Sequence, residues 1–226
     1  MSLLQIEALR VKLQSVEVLR GISLALASGE MIGLLGRNGA GKPTTLRAVM
    51  GLVAASGGRI TCGGEDLIAL PTHRRAALGI GYMPEDRRLT PALTAKENVL
   101  LPAWALRLED ATQRLARIYR LLPEVESFAD RKAVLLSGGQ QKLVALARAL
   151  MSGTTMLLLD EPFEGVAPVL ARRLAQVVAQ LREQGLSVLL AQSNLSHSGE
   201  LLDVLFSIDR GDVTQIPSVR CNSPGV

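Results

Sequence analysis

The chain has 226 residues, 48% of them hydrophobic and 20% charged, with a formal net charge of +4. That composition supports a sizeable core and excludes a chain that is disordered throughout. Mean hydropathy is positive, yet no apolar run approaches the roughly 18–20 residues that span a bilayer, so no membrane-spanning helix is expected.

From the start of the chain, Glu7 and Arg10 interrupt any signal-peptide pattern. Residues 3–10, 16–27 and 30–35 read as strands, and a Gly-rich loop then leads into a helix over 42–50 that stops at Gly51. Residues 59–62 and 79–83 read as further strands. From 86 to 150 the pattern is helical, with Leu115, Ile118, Tyr119 and Leu122 at helix spacing and Pro84, Pro91, Pro102 and Pro123 as breaks. Residues 156–160 form an apolar strand. Pro168 opens a helix with Leu170, Leu174, Val177, Val178 and Leu181 on one face, closed by Gly185. A strand over 186–191, a hairpin over 204–216 turning at Arg210-Gly211, and a frayed tail over 217–226 complete the reading. Strands alternating with helices imply a parallel α/β sheet, and the helical block inside it implies a subdomain. Cys62, Cys221, His73 and His197 lack zinc-ligand spacing and suggest no disulfide framework, which fits a reducing compartment.

Three motifs carry chemistry. Gly36, Arg37, Asn38, Gly39, Ala40, Gly41 and Lys42 follow an apolar strand and open a helix, the context of a phosphate-binding Walker A loop. Its backbone N–H groups turn inward around phosphates, the helix N-terminus adds a positive dipole end, and Lys42 supplies a cation. The next residue in this pattern is Ser or Thr, whose hydroxyl ligates Mg2+; here it is Pro43. Proline fits the first helical turn, but a hydroxyl and an N–H are lost, each worth roughly 1.5–3 kcal/mol toward a charged group. Thr44 and Thr45 follow; Thr44 lies about 100° further round the helix and is expected to meet the α-phosphate. Asp160 and Glu161 end the 156–160 strand, the first suited to Mg2+ and the second to orienting or deprotonating an attacking water. Ser137, Gly138, Gly139 and Gln140 form a capping box that exposes amides at a helix N-terminus, a second anion site.

In this order the three motifs resemble those of the ABC ATPases, over residues 3–215. The resemblance implies an α/β P-loop NTPase fold within one domain. A RecA-like parallel-sheet core with an antiparallel β subdomain would cover about 1–85 and 154–216, and an inserted helical subdomain about 86–153. It implies ATP and Mg2+ as cofactors, with Asp160 and Glu85 toward the metal. Lys42, Asp160 and Glu161 would be catalytic, and residues 36–45, Glu85 and 137–140 would hold nucleotide. Two subunits, alike or different, would pair head to tail, so that Ser137 and Gly139 meet the γ-phosphate across the interface.

Further stretches resemble the branched-chain amino-acid (Liv-type) transport ATPases: residues 38–41, 45–51, 81–88, 93–98, 160–162 and 165–168. Amide and urea importers share them. The implied function is the ATP-binding subunit of an importer, at the cytoplasmic face of the plasma membrane. It would bind permease subunits at a groove bordered by 85–98 and be served indirectly by a periplasmic solute-binding protein. No nucleic-acid partner is expected, since coiled-coil insertions, tandem domains and an aromatic-studded basic stripe are all lacking. The alternative is a regulatory nucleotide-binding subunit with weak or no hydrolysis. Besides Pro43, the pattern departs from the family at Leu13, where adenine would meet an aromatic ring, and at Glu85, where Gln is frequent. It departs also at Gln192-Ser193, where a switch histidine belongs; His197 lies four residues beyond Ser193.

Overall fold

Two sheets organise the computed structural model, which describes residues 2–216. The tail expected over 217–226, with Cys221, lies outside the described residues. The first sheet is antiparallel, in the order β2 (Val16–Ala27), β1 (Ser2–Leu13), β4 (Gly57–Cys62), β5 (Glu65–Asp66). The second has six strands, in the order β10 (Asp212–Ile216), β9 (Val204–Asp209), β3 (Met31–Leu35), β8 (Ser187–Gln192), β7 (Met156–Asp160), β6 (Ile80–Met83). Neighbours in it run parallel except β10, which pairs antiparallel with β9.

The apolar runs in β7 and β8 follow from burial on both faces. Side chains alternate across a strand. Met156, Leu158, Leu189 and Ala191 join one core with the antiparallel sheet and helix α1 (Lys42–Met50), while Leu157, Leu159, Val188 and Leu190 join a second core with the later helices. Those helices are α3 (Ala95–Leu106), α4 (Ala111–Leu121), α5 (Pro123–Ser127), α6 (Gly138–Ser152) and α7 (Pro168–Glu183); the short α2 (Thr72–Ala77) precedes β6. Helix α6 buries Leu143, Val144, Ala145, Leu146, Ala147 and Ala149, which cover most of its circumference, and so forms the centre of the helical layer. Where it crosses β6 the backbones nearly touch: a Cβ on Gly81 would lie 2.2 Å from the Ala149 carbonyl oxygen.

Three sequence expectations change. Strand β1 runs on to Leu13, because its pairing with β2 continues to Leu13 opposite Val16. The helical block begins at Ala95 rather than at 86, where a capping box starts it: Glu97 N–H donates to Thr94 Oγ1 at 3.1 Å and Thr94 N–H to Glu97 Oε2 at 2.7 Å. Pro102 does not break α3. The proline removes one backbone bond, but Val99 and Ala103 on either side are buried in the helical core. No helix among the described residues is long and apolar enough to cross a membrane.

Candidate functional site

The site forms because β3, β8 and β7 are neighbours with matched ends. Leu35 lies opposite Gln192, and Asp160 opposite Ala191. The loops that follow these strands, far apart in sequence, therefore meet at the carboxyl edge of the sheet, the usual location of sites in open α/β sheets.

The loop from Gly36 to Gly41 bends over this edge. Gly41 caps α1 at φ 116°, a conformation open to glycine and costly for other residues. Arg37, Asn38 and Gly39 are exposed, whereas Ala40 and Lys42 are buried, Lys42 to 2% exposure. The Lys42 ammonium donates to the Gly36 carbonyl at 2.6 Å, the Arg37 carbonyl at 3.3 Å and Ser193 Oγ at 3.1 Å, and lies 3.1 Å from Glu161 Oε1. Ser193 grips the same carboxylate with two groups: Oγ lies 2.6 Å from Oε1, and its N–H donates to Oε2 at 3.1 Å. Ser193 Oγ also lies 3.1 Å from Asn38 Oδ1; its single proton is best placed on the charged acceptor. Glu161 turns the chain out of β7 at φ 46°, unusual for a residue with a Cβ.

Asp160 is fully buried. Tyr82 OH donates to its Oδ2 at 3.5 Å, and Oδ1 has no hydrogen-bond partner among the described residues. Burial, then the charge of Glu85, pushes the Asp160 pKa up to about 6 against the opposing charge of Arg47. Burial, then Asp160 itself, pushes Tyr82 up to about 12. A buried, unpartnered carboxylate oxygen is the feature a hard cation would satisfy. Among the described residues no group of three or more His, Cys, Asp or Glu could hold a metal alone.

Pro43 sits in the first turn of α1. Thr44 is buried; Thr45 is fully buried, and its hydroxyl donates to the Gly41 carbonyl at 3.0 Å, so it is committed to the helix. The structure thus brings Gly36–Thr45, Asp160 and Glu161 together, with Glu85 exposed at the rim. It does not bring Ser137, Gly138, Gly139 and Gln140 to them. These occupy the start of α6, where the Ser137 amide donates to Gln140 Oε1 at 2.9 Å and the Gln140 amide to Ser137 Oγ at 3.3 Å. Leu13 is 42% exposed at the β1–β2 hairpin end. His197 packs its ring on Phe163, 6.0 Å between centroids, while Ser193 holds the position beside Glu161. A cleft of about 840 Å3 between α4 and the C-terminal ends of α6 and α7 involves none of these residues.

The sequence put Gln192 or Ser193 at the switch-histidine position without a contact to assign, named Tyr82 and Arg47 only within the Liv-type stretches, and passed over Lys142. The available signal was positional: Ser193 directly follows an apolar strand, as Gly36 and Glu161 do.

Comparison with known proteins adds the family. Residues 19–164 match the ABC transporter family model. The chain is 35% identical over 215 residues to the lipopolysaccharide export system ATP-binding protein LptB of Haemophilus influenzae, covering 94% of this chain and 89% of that protein. It is 32% identical over 198 residues to the high-affinity branched-chain amino acid transport ATP-binding protein BraG of Pseudomonas aeruginosa, covering 88% and 85%. A nucleotide-free ATP-binding cassette from an ABC transporter superposes with a TM-score of 0.84 at 26% identity, covering 97% of this chain and 93% of that one. An ATP-binding cassette in its ADP conformation gives 0.80 at 27%, covering 95% and 90%. The LptB and BraG matches are of comparable strength, so they support the cassette and not one cargo. With the phosphate loop, the acidic strand end and these matches in agreement, the chain belongs to the ABC transporter ATP-binding family.

Proposed function

We propose that this chain is the motor subunit of an ABC importer, hydrolysing ATP in a pair of cassettes bound to permease subunits, with branched-chain amino acids or related amides as cargo. One observation carries the motor reading: Lys42, Ser193 and Glu161 converge on the rim of a phosphate loop whose neighbour, Asp160, keeps a buried carboxylate oxygen unpartnered. The import reading rests on the Liv-type stretches and on BraG; lipopolysaccharide export, the printed role of LptB, is the competing cargo class.

Lys42 is preorganised by the Gly36 and Arg37 carbonyls to point into the loop, where phosphate oxygens would take over from Glu161 as its anionic partner. The Glu161 carboxylate, still held by the Ser193 amide and hydroxyl, is then free to orient or deprotonate water. Asp160, with Glu85 near it, would hold Mg2+, which supplies charge neutralisation of the phosphates. Pro43 offers no hydroxyl to such an ion, and a water would have to take that place. Among the described residues Ser137, Gly138, Gly139 and Gln140 make no hydrogen bond to residues 36–45, which fits their serving the loop of a second cassette, and the groove bordered by 85–98 would receive the permease.

Phosphate release by the assembled transporter in Mg2+ and ATP, compared with Glu161→Gln and Pro43→Thr, tests the reading. Glu161→Gln is expected to lower turnover about 100-fold or more with ATP binding retained. Restoring the hydroxyl in Pro43→Thr is expected to raise turnover about tenfold or more at limiting Mg2+, from roughly 1.5–3 kcal/mol per bond to a charged group. A wild type no faster than Glu161→Gln would replace the motor reading with the regulatory one, which Pro43 favours. Equal rates for wild type and Pro43→Thr at limiting Mg2+ would remove Pro43 as a brake. Transport assays with amino acids, amides and lipopolysaccharide separate the cargo classes.

A further inference from the structure

Lys142 lies in α6, five residues beyond Ser137, and is 1% exposed. Its ammonium donates to the backbone carbonyls of Glu161 at 2.6 Å and of Glu164 at 2.9 Å. Both partners are neutral carbonyls rather than carboxylates. A buried ammonium held this way is costly, and burial together with the charge of Arg87 lowers its pKa, against the charges of Glu164, Glu85 and Glu161. A leucine or methionine would fill the same space without that cost, so the cation points to a use.

The carbonyl it grips belongs to the residue with the unusual φ of 46°. The Glu161 amide donates to the Ala191 carbonyl at 2.9 Å, and the Glu164 amide to the Glu161 carbonyl at 3.3 Å. Lys142 therefore holds the backbone of the turn, whereas Lys42 and Ser193 hold the Glu161 carboxylate. It also stands one helical turn after Gly138 and Gly139, on a helix whose packed sides make it move as a unit.

We propose that Lys142 is a positioning residue that fixes the Glu161 backbone and ties it to the helix presenting Ser137, Gly138, Gly139 and Gln140, so that engagement of that helix end by nucleotide is transmitted to the Glu161 carboxylate of the same chain. The proposal deepens the motor reading above and rests on Glu161 acting on water.

The test uses the full chain in its transporter, with Lys142→Met removing the donor at similar length and Lys142→Arg keeping it. Lys142→Met is expected to lower kcat about 100-fold, the scale of a misplaced catalytic group, with KM for ATP changed less than about threefold. Lys142→Arg is expected to recover most of kcat. Hydrogen exchange gives a readout independent of hydrolysis. In wild type, ATP should protect both the amides of 138–141 and those of 161–166; in Lys142→Met the first protection should persist and the second should be lost. Where Lys142→Met does not fold, Lys142→Gln, too short to bridge both carbonyls, is expected to show the same kcat loss and the same pattern. Wild-type kcat in the Met or Gln variant, or ATP protection of 161–166 retained without the lysine, overturns the proposal. If wild type shows no turnover above Glu161→Gln, the motor reading falls, and the exchange comparison still decides for or against the Lys142 tie.

Discussion

Asp160→Asn should make the protein more stable at neutral pH. In the folded chain the Asp160 carboxyl titrates at about 6 against an ordinary 3.8, chiefly because burial disfavours its charge. The folded state therefore holds this proton more tightly than the unfolded state does. Between about pH 4 and 6 the native protein binds more protons, so stability falls as pH rises through that window and levels off above it. At ~1.4 kcal/mol per pKa unit, ionised Asp160 costs the fold about 3 kcal/mol at pH 7.5. Asparagine keeps the shape, can still accept from the Tyr82 hydroxyl and carries no charge. It should gain about 2–3 kcal/mol at pH 7.5, or roughly 5–10 °C in Tm, and only about 1 kcal/mol near pH 4.5. Urea unfolding in a chelating buffer from pH 4.5 to 8 measures this. Parallel stability curves for wild type and variant, or a variant weaker at pH 7.5, would refute the reasoning that burial of an unpartnered carboxylate sets this cost.

Two further outcomes follow from single side chains. Leu13→Tyr should tighten ATP binding about fivefold or more, since stacked bases are worth roughly 1–3 kcal/mol, and leave tripolyphosphate binding unchanged; equal ATP affinity in a nucleotide titration would dissociate the hairpin end from the base. Gly81→Ala should destabilise the fold by about 1–3 kcal/mol, because the new Cβ would lie 2.2 Å from the Ala149 carbonyl oxygen and 2.8 Å from the Gly153 Cα, neither of which can rotate away. A loss under about 0.5 kcal/mol by denaturant unfolding would show that β6 and α6 separate freely.

The sequence exposed what is local and periodic. The apolar runs of β7 and β8 read as doubly covered strands and are buried on both faces. The Ser137–Gln140 capping box was legible because its two bonds span three residues. The fold class followed from the alternation of such elements. Pro102 misled because propensity weighs one missing backbone bond and not the buried residues on either side. Ser193 and Lys142 stayed without roles for a different reason. Their partners are 151, 32, 22 and 19 residues away, joined by strand register and helix packing, and no spacing rule reaches across them.

The two acidic residues at the end of β7 consequently answer to different parts of the fold. Glu161 is held on three sides: its carboxylate by Lys42 and Ser193, its carbonyl by Lys142. Among the described residues Asp160 has only a long bond from Tyr82 and an oxygen with no partner. The proline in the phosphate loop withholds the hydroxyl that would join Asp160 toward Mg2+, while the contacts of Lys42, Ser193 and Lys142 to Glu161 are all present. A defect caused by Pro43 should therefore appear as a raised Mg2+ requirement with water orientation preserved, whereas loss of Lys142 should lower kcat at every Mg2+ concentration. Titrating Mg2+ against turnover in Pro43→Thr and Lys142→Met distinguishes the two: saturating metal should close most of the gap between wild type and Pro43→Thr, and none of the gap between wild type and Lys142→Met. If saturating metal closes both gaps or neither, the division of labour between the two carboxylates is wrong.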